Sequence, residues 1–160
     1  MKNQRNNQNL FLQSKAILTQ TYTLQTEFFD VDSMGVVWHG NYVKYLESAR
    51  CRFLESLDCT YTTMRYNGFV LPVVKIDMKY IKPLQFNQKF NVEVGLLEWE
   101  SFLRFQYVFK NLEGQKLFLA HSSQVAVLLE SQETCFCLPK ILRQAIESAI
   151  QNKKRNINVL

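Results

Sequence analysis

The stretch from Asp30 to Tyr42, "DVDSMGVVWHGNY", puts two carboxylates, an imidazole, an indole and two glycines into one crossing from a strand-like to a helix-like run. A helix starting at Asn41 leaves its first backbone N–H groups without intrahelical partners, at the positive end of its dipole. Such groups can hold an anion, or a carbonyl oxygen that turns negative during reaction. A carboxylate just upstream can then attack that carbonyl or activate water against it. Asp32 stands in that place, Gly35 permits close backbone approach, and Val36, Val37 and Trp38 supply an apolar wall ahead of His39. The layout suits acyl transfer to water.

The elements that must position these residues are legible from periodicity. Residues 21–29, "TYTLQTEFF", put Tyr22, Leu24, Thr26 and Phe28 on one side of a strand. From Asn41 the period turns helical, with Tyr42, Tyr45, Leu46, Ala49, Phe53, Leu54 and Leu57 on one face. Asn41 is placed to cap that helix by accepting from an N–H of its first turn. A short helix in "YTTMRYNG", stopped by Gly68, comes next. Strands follow in "VVKIDMKYI", "FNVEVGL", "SFLRFQYVFK" and "QKLFLAHSSQVAVLLE", the last two joined by a hairpin around Gly114. Pro139 opens a final helix, "KILRQAIESAIQN". One apolar helix followed by alternating antiparallel strands predicts an α+β fold, its sheet wrapped on the helix. We expect one domain over residues 18–152, a flexible N-terminal extension over 1–17 and a basic C-terminal tail over 153–160.

Composition narrows the function classes. At 160 residues with 47% hydrophobic side chains the chain can bury a full core without disulfide or metal staples. Its formal charge of +5 favours anionic partners in general but is too small to single out nucleic acid. No apolar run is long enough for a signal peptide or a membrane span, so we expect a cytoplasmic protein with no integral membrane segment. Cys51, Cys59, Cys135 and Cys137 show no zinc-site spacing, and reduced structural thiols are the expectation. We expect neither a metal nor a cofactor.

The segment "DVDSMGVVWHGNYVKYLESAR" resembles the hotdog-fold acyl-CoA thioesterases of the 4-hydroxybenzoyl-CoA thioesterase type, including those associated with the Tol-Pal system. The family pattern is close to D-x-D-x-x-G-V-V-aromatic-(H/Y)-x-x-Y running into E-x-A-R. Asp30, Asp32, Gly35, Val36, Val37, Trp38, His39, Tyr42, Glu47, Ala49 and Arg50 match it, and weaker likeness spans about residues 20–145. The resemblance implies a hotdog fold and hydrolysis of acyl-CoA, with Asp32 as nucleophile or as general base to water. It further implies that the backbone N–H at His39 polarises the thioester carbonyl; from the residues themselves we expect Gly35, Trp38, His39 and Tyr42 to meet the substrate. Two protomers would join their sheets so that sites lie at a subunit interface, in a homo-oligomer that is a dimer or a homotetramer. One departure stands out: "EWESFLRF" carries Glu98 and Glu100 where the benzoyl-specific member has cations that meet CoA phosphates.

Plainer readings stand beside each of these. Asp32 could be a turn residue bonding its own loop, and Asp30 more so. Glu47 and Arg50, at i and i+3, could form an ion pair on the helix surface. His121 falls in a strand and reads as structural. Phe69 and Trp99, like Trp38 and Tyr42, could line an acyl pocket or simply fill the core. Lys75, Lys79, Lys82 and Arg104 are candidates for CoA phosphates or for a solvated sheet face. Rival functions are a non-catalytic acyl-CoA-binding or sensing module, a hotdog dehydratase and an interaction scaffold using the basic tails.

Overall fold

The computed structural model describes residues 15–157. Most of the expected extension over 1–17, and the last three residues of the 153–160 tail, lie outside the described residues. Strand β1 (Leu18–Gln25) leads through a 3-10 turn at Phe28–Asp30 and another at His39–Asn41 into helix α1 (Tyr42–Glu55). Helix α2 (Tyr61–Tyr66), β2 (Phe69–Val70), β3 (Val73–Tyr80), β4 (Lys89–Glu98), β5 (Leu103–Lys110), β6 (Lys116–Gln124), β7 (Val127–Leu128) and helix α3 (Lys140–Ile157) follow. The main sheet has the order β1-β4-β5-β6-β3, and every pairing in it is antiparallel. β2 and β7 form a separate small ribbon.

Helix α1 lies on that sheet because its apolar stripe matches the inward positions of the strands. Its buried face is Tyr42, Tyr45, Leu46, Ala49, Arg50, Phe53 and Leu54. Aromatic contacts run along its length, among them Tyr42 on Phe118 at 4.7 Å, Tyr45 on Phe90 at 5.1 Å and Phe53 on Phe105 at 5.2 Å between centroids. Each such side chain, fully buried, contributes about 1.5–3 kcal/mol relative to exposure. This is the α+β hotdog architecture.

Several boundaries differ from expectation. β1 ends at Gln25, and Phe28, expected on its inward face, sits in a 3-10 turn 79% exposed. The turn wins because Glu27 and Asp30 form a reciprocal capping box across it. The expected strand through residue 130 breaks after Gln124, and Val127–Leu128 turns away to pair with Phe69–Val70. Helix α3 continues past "IQN" to Ile157, so Lys153, Lys154 and Arg155 stand on its last turns. There Lys153 Nζ donates to the Ile17 carbonyl at 2.9 Å, holding the helix end against the start of β1.

Candidate active site

The crossing from β1 to α1 is built around a small hairpin. Val31 and Val37 pair antiparallel, the Asp32 N–H donates to Val36 O at 2.9 Å, and the Gly35 N–H donates to Asp32 O at 3.0 Å. Asp32 Oδ1 accepts from the Met34 N–H at 2.8 Å, the side-chain turn that aspartate favours at this position. Gly35 sits at φ +73°, the left-handed geometry that closes a three-residue hairpin loop. Its carbonyl accepts from the Phe86 N–H at 3.2 Å, and Val36 bridges Gln85, so the β3–β4 connection braces the hairpin.

Asp30 is the buried anchor. It is 3% exposed, and its Oδ2 accepts from the Tyr45 hydroxyl at 2.7 Å and from the Glu27 N–H at 2.9 Å. Burial, and then the bond to Asp30, hold the Tyr45 hydroxyl protonated far above its ordinary range. The Asp30 carbonyl accepts from the Trp38 N–H at 2.9 Å and from Asn41 Nδ2 at 2.8 Å. This corrects the expected role of Asn41. Its backbone is already helical and its side chain caps nothing; the amide is spent as a donor to residue 30.

Those bonds fix two peptide planes at the start of the helix. The Trp38 carbonyl accepts from the Asn41 N–H at 2.9 Å, and the His39 carbonyl accepts from the Tyr80 hydroxyl at 2.9 Å. In a planar trans peptide the N–H points opposite to the C=O. Holding these carbonyls therefore aims the His39 and Gly40 N–H groups away from them, and neither N–H has an acceptor among the described residues. A pair of aimed, unpaired backbone donors at a helix start can stabilise a developing oxyanion.

A cavity of about 180 Å³ adjoins this point, lined by Val37, His39, Tyr42, Tyr80, Ile81, Lys82 and Pro83. Of the five predicted site residues it includes His39 and Tyr42, while Asp32, Gly35 and Trp38 lie outside its lining. Tyr42 is 2% exposed, packs on Tyr80 and Phe118, and accepts from the Leu84 N–H at 3.0 Å. It is a wall and a brace for the loop before β4. Trp38 is half-exposed, its ring 4.9 Å from that of His39 and folded over Gly40, where a Cβ would strike it. Phe69 belongs to the core.

Tyr80 was not among the predicted site residues, because a hydroxyl on the edge strand reaching a carbonyl 41 positions earlier leaves no local signal. The Glu47–Arg50 pair exists but is no surface pair: Arg50 is 2% exposed, with its Nε donating to the Tyr61 hydroxyl at 2.8 Å. Lys82 is the candidate cation that reaches the cavity, whereas Lys75 pairs with Asp77 at 3.1 Å. No group of three or more His, Cys, Asp or Glu side chains arranged to hold a metal occurs among the described residues.

The family model for the thioesterase-like superfamily matches residues 27–150, which takes in the hairpin, α1 and all the strands after it. The chain belongs to that superfamily and is a thioester hydrolase. It is 29% identical over 109 residues to the provisionally named acyl-CoA thioesterase YneP of Bacillus subtilis (strain 168), covering 68% of this chain and 79% of that one. A provisionally named esterase of Aquifex aeolicus (strain VF5) is 34% identical over 88 residues, covering 54% and 69%. A crystal structure of an Aquifex aeolicus protein named hypothetical superposes with a TM-score of 0.70 at 27% identity, covering 79% of this chain and 98% of that one.

Proposed function

We propose that the chain hydrolyses acyl-CoA thioesters to free acid and CoA, with Asp32 supplying the carboxylate and the helix-start N–H groups holding the carbonyl oxygen. The thioester oxygen would take the place that the unpaired His39 and Gly40 N–H groups leave open. Asp32 then either adds to the carbonyl carbon, expelling CoA thiolate and leaving a mixed anhydride that water cleaves, or takes a proton from the water that adds instead. Either route consumes one water, and the thiolate leaves as CoA thiol. The observation that carries this reading is the locked pair of peptides at 38–40, held by Asn41 and Tyr80 directly after the Asp32 hairpin.

Asp32 is preferred over the other nearby carboxylates for a physical reason. Asp30 is buried, with its Oδ2 held by the Tyr45 hydroxyl and the Glu27 N–H, and Glu47 is tied to Arg50. Asp32 commits one oxygen, Oδ1, to its own loop. Gly35 and Trp38 would shape the approach to it, with His39 and Tyr42 on the far wall. Because Asp32 stands outside the lining of the cavity in one chain, the reading requires a second copy to complete the site. Edge strand β3, paired among the described residues with β6 alone and carrying exposed Val73, Val74, Met78 and Tyr80, supports a homo-oligomer, dimer or tetramer, with sites between subunits.

We place the protein in the cytoplasm, in keeping with four free cysteines. No helix among the described residues is long and apolar enough to cross a membrane. A panel of acyl-CoA substrates, followed by release of CoA thiol, tests the proposal. Saturable acyl-CoA binding with no thiol released would favour a sensing module instead.

A further inference from the structure

A second cavity, of about 350 Å³, is lined by Glu47, Arg50 and Tyr61 on one side and the apolar run Val70 to Val73 on the other. It shares no lining residue with the cavity at His39. Glu47 lies on α1 eight residues after His39, which sits in the 3-10 turn before that helix. The cavity is a depression wide open to solvent, with room to seat a small molecule against its apolar side.

The polar side of this cavity is unusually specified. Arg50 is buried, and although burial opposes its charge, Tyr107, Tyr61 and Glu47 outweigh that and raise its pKa. The Tyr61 oxygen accepts from Arg50 Nε at 2.8 Å and from Gln124 Nε2 at 3.4 Å, which occupies both lone pairs. Its own O–H has no acceptor among the described residues and lies at the cavity wall. Gln124, wholly buried, touches two lining residues, Tyr61 and Leu71, and its Oε1 has no partner among the described residues. Glu47 is half-exposed and brings carboxylate oxygens that can accept.

We propose that this cavity is a binding site for a neutral apolar molecule or group that carries a hydroxyl. That hydroxyl accepts from the Tyr61 O–H and donates to Glu47, while its carbon body packs on residues 70–73. A carboxylate is the wrong ligand, because Glu47 already balances Arg50 and a second anion would enter uncompensated. The hydroxyl can belong to a free molecule or to the acyl part of a thioester, and competition separates the two. A free ligand binds alongside acyl-CoA, and an acyl-borne one is displaced by it.

The test is calorimetric titration of the full chain with cyclohexanol and with cyclohexanecarboxylate, two probes of similar shape. Cyclohexanol is expected to bind measurably tighter than the carboxylate, and Tyr61→Phe to weaken it about tenfold. A second variant, Val70→Phe, fills the apolar side without touching the Arg50 network and is expected to abolish binding. Equal binding of the two probes, or cyclohexanol binding unchanged in both variants, overturns the proposal.

Discussion

The hydroxyl of Tyr80 donates to the carbonyl of His39 at 2.9 Å, joining edge strand β3 to the peptide whose N–H belongs to Gly40. Tyr80 thereby acts on the helix start from the strand that the proposed oligomer would share. Tyr80→Phe keeps the ring against Tyr42 and Phe118 and removes this bond together with the long contact of the hydroxyl to Met78 Sδ at 3.9 Å. Thioesterase kcat should fall by up to about 10²-fold through misplacement of the donors, with KM and melting temperature nearly unchanged. An unchanged kcat would mean that the peptide holds its direction without Tyr80.

Asp30 ties the hairpin to α1, whereas Asp32 is the proposed chemical group. Asp30→Ala leaves the buried Tyr45 hydroxyl without its acceptor, removes the bond from the part-buried Glu27 N–H, and takes away the side-chain tie between the hairpin and α1. Urea unfolding should show a loss of about 3 kcal/mol. A loss below about 1 kcal/mol would contradict the anchor role.

Gly35 meets no neighbour where a Cβ would be added, so its penalty on substitution is purely that of φ +73°. Gly35→Asn should cost less than Gly35→Val, because asparagine tolerates this region and a β-branched residue does not. Comparison of the two melting temperatures decides it; equal losses would point to a side-chain clash.

His121 predicts an acid sensitivity. Burial first, and then Arg104, pushes its pKa below the ordinary 6.5, with Lys75 adding to this and the cross-strand Asp77 opposing it. In the unfolded chain the imidazole takes a proton near pH 6.5, and in the folded chain it does so only at lower pH. Stability should therefore fall as pH drops below about 6.5 and level off beneath the folded pKa. His121→Gln should shrink the fall in melting temperature between about pH 8 and pH 5. An identical fall in the variant would assign the sensitivity to other groups.

The sequence revealed what local pattern controls. The α1 face was legible because Tyr42, Tyr45, Leu46, Ala49, Phe53 and Leu54 repeat at the helical period, and the Gly68 and Gly114 stops because their turns need positive φ. The Asp32–Gly35 crossing was visible as residue types. Long-range choices were hidden. Asn41 looks like a cap until Asp30 offers its carbonyl, and Arg50 looks like a surface partner of Glu47 until Tyr61 meets its other side. Phe28 fits a strand by alternation, but the Glu27–Asp30 capping box turns the chain first.

The most direct measurement is single-turnover release of CoA thiol from acyl-CoA by the wild type and by Asp32→Asn, with acyl-CoA affinity measured alongside. The isosteric amide keeps an oxygen to accept from Met34 but cannot attack or take a proton. The variant should bind acyl-CoA with near-native affinity and release thiol slower by about 10²–10³-fold or more. Release at the wild-type rate by a folded Asp32→Asn protein would contradict the assignment of the chemistry to this carboxylate.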